Sequence, residues 1–180
     1  GTVVDEEKYQ VHACEAEHSV PTFSFLFEEK EKPGTFYPEK ANSLGIPKGE
    51  LWHQLQQGDE VVIGNKSIKP SDVMGPNVPG KKIGISGDTR PTKKLEEFFE
   101  NCDYLVFDST FSDELKEKAV ESCHSTAKEA ATFAKNTNVS NLILTHFSAR
   151  YKDDKVLLDE AKTVHDSVVA AKDQLKIEIV

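Results

Sequence analysis

An α/β fold is predicted for this sequence by two observations. From about residue 82 onward, short apolar runs of strand character (KIGIS, YLVF, NLILT) alternate with stretches that carry apolar residues at helical spacing. Strand-helix repetition of this kind implies a sheet with helices packed on a face. The second observation is that polar residues stand just beyond those runs: Asp88 after IGIS, Asp108 after YLVF and His146 after LILT. In open α/β sheets the carboxyl edge of the strands is where loop tips converge and ligands gather.

The elements follow in order. Val3-Val4 and residues 9–14 read as two strands joined by the acidic turn Asp5-Glu6-Glu7. In TFSFLF, residues 22–27, the two-residue repeat places Phe23, Phe25 and Phe27 on one face of a third strand. EEKEKPG is a charged turn punctuated by Pro33-Gly34. Short helices are expected over 38–44, before Gly45, and over 50–57, where Leu51, Trp52 and Leu55 share a side before the stop at Gly58. A strand over 60–63 precedes the turn Gly64-Asn65, and Pro70, Pro76, Pro79 and Gly80 make a stiff approach to the next strand. Gly87 then lets the backbone turn sharply and leaves Asp88 at the strand's end.

The second half continues with a helix over 91–102, whose Leu95, Phe98, Phe99 and Cys102 recur at three- and four-residue steps. Strands over 104–107 and 141–145 bracket helices over 112–121 and 126–136, the latter with Ser125 or Thr126 as N-cap. A long amphipathic helix over 155–172 and a closing strand over 176–180 complete the outline. The expected organisation is one domain, or part of one, over 1–180 with a looped insertion at about 38–80. With no initiator Met and a strand already at Thr2-Val3-Val4, the chain reads as a piece of a longer protein.

Composition limits the function. The formal charge of −9 excludes a molecule that attracts nucleic acid as a whole, so phosphate binding has to be local. Candidates are Lys81, Lys82, Arg90, Lys93 and Lys94 around Asp88, with Arg150 and Lys152 further on. Cys14, Cys102 and Cys123 are odd in number and form no C-x-x-C pair, which argues against a disulfide framework or thiolate zinc site and fits a reducing, cytoplasmic setting. No long apolar run provides a membrane span.

Taken singly, each strand-end residue has a structural explanation: an Asp caps turns, and a loop His makes local hydrogen bonds. Taken together, His18, Asp88 and His146 supply imidazole and carboxylate donors of the kind that suit zinc. His124, in Cys123-His124-Ser125-Thr126, stands between two expected helices and is available as a proton donor. His12, His53 and His165 lie within regular elements and are read as structural or surface residues.

Four stretches then carry a resemblance: HSVPTFSF from His18, KIGISGDTRP from Lys82, CHSTAKEAATFAK from Cys123 and LILTHFSARY from Leu142. They are similar, in order, to motifs of the tRNase Z (ribonuclease Z) family, tRNA 3′-processing endoribonucleases of the metallo-β-lactamase superfamily. The intervals of 70 residues from His18 to Asp88 and 58 from Asp88 to His146 resemble the family's as well. The resemblance implies the C-terminal half of an αβ/βα sandwich with two zinc ions, in which His18 and His146 each ligate one metal and Asp88 bridges them. It implies that His124, supported by Asp108, protonates the leaving group, and that Arg150 and Ser148 contact substrate phosphate. Precursor tRNA is the implied substrate and a homodimer the implied assembly, with no membrane partner.

Two departures qualify the resemblance. Phe107-Asp108-Ser109-Thr110 stands where the family carries His-Glu-Ala-Thr, so the carboxylate is one methylene shorter. The family's His-x-His-x-Asp-His motif is absent from the chain, as is the long arm that grips tRNA; both lie upstream in the family. The isolated chain is therefore expected to hold half of the metal site and to be inactive alone. Alternatives are a general phosphodiesterase of the same fold and a non-catalytic binding subunit.

Overall fold

Residues 1–179 are described by a computed structural model, and they divide into two compact units, 1–29 with 81–179, and Lys30–Gly80. The first unit is built on a seven-stranded mixed sheet in the order β1-β2-β3-β6-β7-β8-β9. Its strands are β1 (Thr2–Asp5), β2 (Tyr9–Ala16), β3 (Thr22–Glu29), β6 (Lys82–Ile85), β7 (Tyr104–Asp108), β8 (Asn141–Thr145) and β9 (Val168–Ala170). β1, β2, β3 and β6 pair antiparallel in succession, whereas β6, β7, β8 and β9 run parallel.

Parallel neighbours need crossovers, and helices supply them. α4 (Lys93–Phe98) lies between β6 and β7, α5 (Lys116–Glu121) and α6 (Ala127–Asn136) between β7 and β8, and α7 (Lys155–Lys162) between β8 and β9. Leu95, Phe99, Ala130, Ala134, Leu157 and Ala161 from this layer join one core with Leu26, Leu105, Phe107, Leu142 and Leu144 of the sheet. Gly84 admits the layer closely, since a Cβ there would lie 2.6 Å from the Phe99 ring. Thr126 caps α6 through a capping box with Glu129.

The opposite face of this sheet carries the aromatic alternation of β3 and is largely exposed. Phe23, Phe25 and Phe27 share a face, but Phe23 and Phe25 are 53% and 43% exposed while Ser24 and Leu26 point into the core. Cross-strand register extends that face into an apolar row, Ala13, Phe25, Ile85, Val106, Ile143 and Val169, one residue from each of six neighbouring strands, of which Phe25, Ile85 and Val169 are exposed and Ile143 is buried. Alternation identifies a common side; only the helices decide which side is covered.

The second unit contains α1 (Pro38–Ser43), α2 (Glu50–Gln57), the hairpin β4 (Val61–Ile63) and β5 (Lys66–Ile68), and α3 (Pro70–Val73). Ala41, Ile46, Leu55, Val61, Ile68 and Val73 form its core. β5 and α3 were not expected from sequence, because KSI and PSDV are too short to show a period.

Other boundaries also differ. The helix expected over 91–102 is shortened to α4, with Thr92 as N-cap, and that over 112–121 is a 3-10 turn at Asp113–Leu115 followed by α5. The long helix expected over 155–172 ends at Lys162, and Val168-Val169-Ala170 leaves it to extend the sheet as β9. A β-branched pair at a sheet edge outweighs helical periodicity there. Residues 176–179 form no strand, and Val180 lies outside the described residues. Among the described residues no helix is long and apolar enough to cross a membrane.

Candidate metal and acid-base site

Three parallel strands in adjacent positions finish at one edge, and each leaves a polar residue there: Asp88 beyond β6, Asp108 closing β7 and His146 beyond β8. β3 runs antiparallel to β6, so it begins at that same edge, and the β2–β3 connection delivers His18 to it. Backbone links hold the loops together: the Glu17 amide donates to Thr89 Oγ1 at 3.0 Å and the Arg90 amide to Glu17 O at 3.1 Å.

The five-residue turn between α5 and α6 brings the remaining histidine. His124 lies between His18 and His146, with ring centroids 4.9 Å from each; it meets the first edge-on and stacks on the second. Ligand atoms of His18, Asp88 and His124 all fall within 4.8 Å of one another, as do those of Asp108, His124 and His146. His146 Nε2 is 3.4 Å from Asp88 Oδ2, and both side chains are open to solvent.

Two of the site's residues sit in strained backbone. Cys123 has φ 56° and His146 φ 63°, left-handed values that β-carbon-bearing residues seldom adopt. Such strain concentrates at functional sites and costs of order 1–3 kcal/mol per residue. Gly87, at φ 63°, makes the corresponding turn before Asp88 without that cost.

Asp108 is wholly buried and fully engaged. Oδ1 accepts from the Thr110 amide at 3.0 Å and the Thr110 hydroxyl at 2.6 Å; Oδ2 accepts from the Thr89 amide at 3.0 Å and His124 Nδ1 at 2.7 Å. Four donors fill the lone-pair sites of a carboxylate, so Asp108 has none left for a metal. The shorter side chain thus reaches His124 without difficulty.

The hydrogen bonds also fix which ring nitrogens are free. The Cys123 carbonyl can only accept, so the 3.0 Å contact makes His18 Nδ1 a donor; His124 Nδ1 donates to Asp108 in the same way. Each ring keeps Nε2 as its remaining nitrogen. Neutral imidazole Nε2 together with the Asp88 carboxylate is the donor chemistry zinc takes, and the ligand atoms of His18, Asp88 and His124 lie close enough to share an ion, with His146 against Asp88.

Around this centre, Arg150 stands 4.9 Å over the Phe111 ring and its Nε donates to Ser148 Oγ at 3.0 Å. The Ser148 amide donates to Thr110 O and the Ser112 amide to Tyr151 Oη, which ties the 146–151 loop to the end of β7. Arg90, expected among the candidate phosphate contacts, is instead committed inside the fold. Its guanidinium grips Glu129 at 2.5 and 2.7 Å and donates to the His124 carbonyl at 2.5 Å. Burial raises the Glu129 carboxyl, but Arg90, the Thr126 amide and Lys116 outweigh it and hold the group below its ordinary value. Lys81, Lys82 and Lys94 are likewise paired, with Asp103, Glu28 and Glu15.

Sequence reasoning missed Thr110, Phe111 and the Arg90–Glu129 pair. The capping-box spacing Thr126-x-x-Glu129 was a readable signal for one of them; the others have none outside the folded arrangement. His12, His53 and His165 lie outside the cluster, engaged with Thr2, Gln57 and the Val139 carbonyl. Burial pushes the Cys102 thiol up to about 12, which leaves it an inert core residue.

Comparison with known proteins agrees with the fold. Residues 49–147 match the family described as Beta-lactamase superfamily domain. The chain is 62% identical over 177 residues to Ribonuclease Z of Nitrosopumilus maritimus, covering 98% of this chain and 59% of that protein. It is 44% identical over 180 residues to Ribonuclease Z of Methanosarcina acetivorans, covering 99% and 59%. Among solved structures, the short form of human tRNase Z aligns with a TM-score of 0.61 at 25% identity, over 99% of this chain and 46% of that one. The metallo-beta-lactamase fold protein YhfI of Bacillus subtilis aligns at 0.60 with 16% identity, over 94% and 49%. The chain therefore spans about 59% of the length of these curated relatives.

Proposed function

The chain belongs to the beta-lactamase superfamily, and on that premise we propose that it is the C-terminal part of a zinc-dependent endoribonuclease that removes the 3′ trailer from precursor tRNA. The observation that carries the proposal is the convergence of His18, Asp88, His124 and His146 on one sheet edge, backed by a buried Asp108. The substrate class is drawn from the relatives, which are named Ribonuclease Z, and from the similar human structure, which is a tRNase Z.

In this reading His18, Asp88 and His146 would hold zinc, with Asp88 shared between the two histidines' ions. When bound, zinc supplies an activated water and a counter-charge for the phosphoryl oxygens. His124 presents Nε2 to the departing 3′ oxygen and gives it a proton, while Asp108, bonded to Nδ1, stabilises the imidazolium that does so. Arg150, held over Phe111 and against Ser148, contacts the phosphate. Three ligands shared between two metals close neither shell, so the remaining ligands, His-x-His-x-Asp-His, belong to an upstream segment. The six-strand apolar row is the surface that segment would cover, and the 38–80 excursion is an insertion within the same partial domain. A homodimer is the assembly the resemblance implies.

The test compares precursor tRNA with bis(p-nitrophenyl) phosphate as substrates of the full-length protein. Cleavage of precursor tRNA at the 3′ side of the discriminator base supports the reading. Turnover of the small diester with precursor tRNA left intact would assign a general phosphodiesterase instead.

A further inference from the structure

Between Asp108 and His146 stands a side chain that touches both, the 6% exposed Thr110. Its hydroxyl oxygen is 2.6 Å from Asp108 Oδ1 and 2.8 Å from His146 Nδ1. A hydroxyl has a single proton, so it donates to one neighbour and accepts from the other. Asp108 is a carboxylate that already accepts the Thr110 and Thr89 amides and His124, and it can take the hydroxyl proton only as acceptor. The hydroxyl proton therefore points at Asp108, and the hydroxyl oxygen receives a proton from His146 Nδ1.

We propose that Thr110 is a positioning residue that fixes His146 as its Nδ1–H tautomer, leaving Nε2 as the lone-pair nitrogen that faces Asp88. The inference rests on the metal-site reading for its consequence, although not for its geometry. His146 needs this device more than the other two histidines. His18 Nδ1 donates to a backbone carbonyl and His124 Nδ1 to a carboxylate, both acceptors by nature, whereas His146 is exposed and its Nδ1 meets a hydroxyl, which could play either role. Asp108 removes that ambiguity. One buried carboxylate thus orients two imidazoles, His124 directly and His146 through Thr110, and links the acid to the metal ligand. Partners of this type typically alter metal affinity by about 10- to 100-fold.

The experiment uses the full-length protein, labelled with 15N-histidine, stripped of metal and held at about pH 8, above the ordinary imidazole value of about 6.5. His146→Gln identifies the relevant ring signals. The wild type and Thr110→Ser, which keeps the hydroxyl, are expected to show His146 protonated at Nδ1. Thr110→Val is expected to shift it toward Nε2–H and, in competition titrations with zinc ion, to weaken binding by about 10- to 100-fold, with Thr110→Ser restoring it. Nε2–H in the wild type, or an unchanged tautomer and zinc affinity in Thr110→Val, overturns the inference. Should Thr110→Val not fold, the wild-type tautomer still decides. A wild-type protein that binds no zinc sinks the metal-site reading instead, and the metal-free tautomer distinguishes the two failures.

Discussion

Asp108 Oδ2 lies 2.7 Å from His124 Nδ1, with the carboxylate wholly buried and the imidazole 14% exposed. A pair so enclosed has a fixed geometry, and in the proposed function the ring's other nitrogen, Nε2, gives the proton. His124→Ala in the full-length protein should lower cleavage of precursor tRNA by about 10²- to 10⁴-fold. Zinc content, measured by mass spectrometry, should stay the same. Loss of zinc in step with activity would move His124 from acid to ligand.

Asp108→Asn should act on stability as well as rate. An amide cannot accept all four donors that Asp108 satisfies, and breaking a buried pair costs about 3 to 5 kcal/mol, read as a lower urea midpoint. Asp108→Glu, which restores the residue usual in the resembling family, should not help here. Asp108 is wholly buried with four hydrogen-bond donors set against it, and an added methylene in a packed interior costs about 1 to 3 kcal/mol. A Glu variant as stable and active as the wild type would show that the β7 end adjusts freely.

Glu129 gives the fold an acid-sensitive element. Its carboxyl is held below the ordinary 4.5, chiefly by Arg90 against the opposing effect of burial. A depressed carboxyl contributes stability that is complete above its unfolded value and disappears as pH falls through the folded one. Glu129→Gln should therefore be less stable near neutral pH by about 1 to 3 kcal/mol, with the gap closing below about pH 4. Urea titrations across that range check it; a gap constant with pH would mean the carboxylate's charge is irrelevant.

Substitution on the bare sheet face should have opposite consequences in two settings. In the 180-residue chain, Phe25→Thr removes an exposed aromatic ring and should reduce self-association and dye binding. In the full-length protein, where the proposed function has an upstream segment cover this face, the same change should cost about 3 kcal/mol. Equal stability of wild type and variant in the full-length protein would argue that nothing covers this face.

Much of this was legible in sequence where the signal is local. The strands ending at Asp88, Asp108 and His146 were readable from apolar runs closed by a polar residue, and α2 and α6 from period, cap and stop. What could not be read depends on packing between distant segments. Phe23, Phe25 and Phe27 announce a shared side without saying that helices cover the other one. Val168-Val169 fits a helical pattern until β8 offers a neighbour. Arg90 looks like a surface cation until Glu129 encloses it, and Thr110 is one hydroxyl among many until Asp108 and His146 are placed on either side of it.

The central claim, that His18, Asp88 and His146 hold metal for phosphodiester cleavage, is tested most directly by zinc stoichiometry and precursor-tRNA cleavage measured together on three proteins. The full-length wild type should carry two zinc ions per chain and cut precursor tRNA; full-length Asp88→Ala should lose at least one ion and cleavage with it; the 180-residue chain should bind zinc weakly and cut nothing. Undiminished zinc and cleavage in Asp88→Ala would contradict the account.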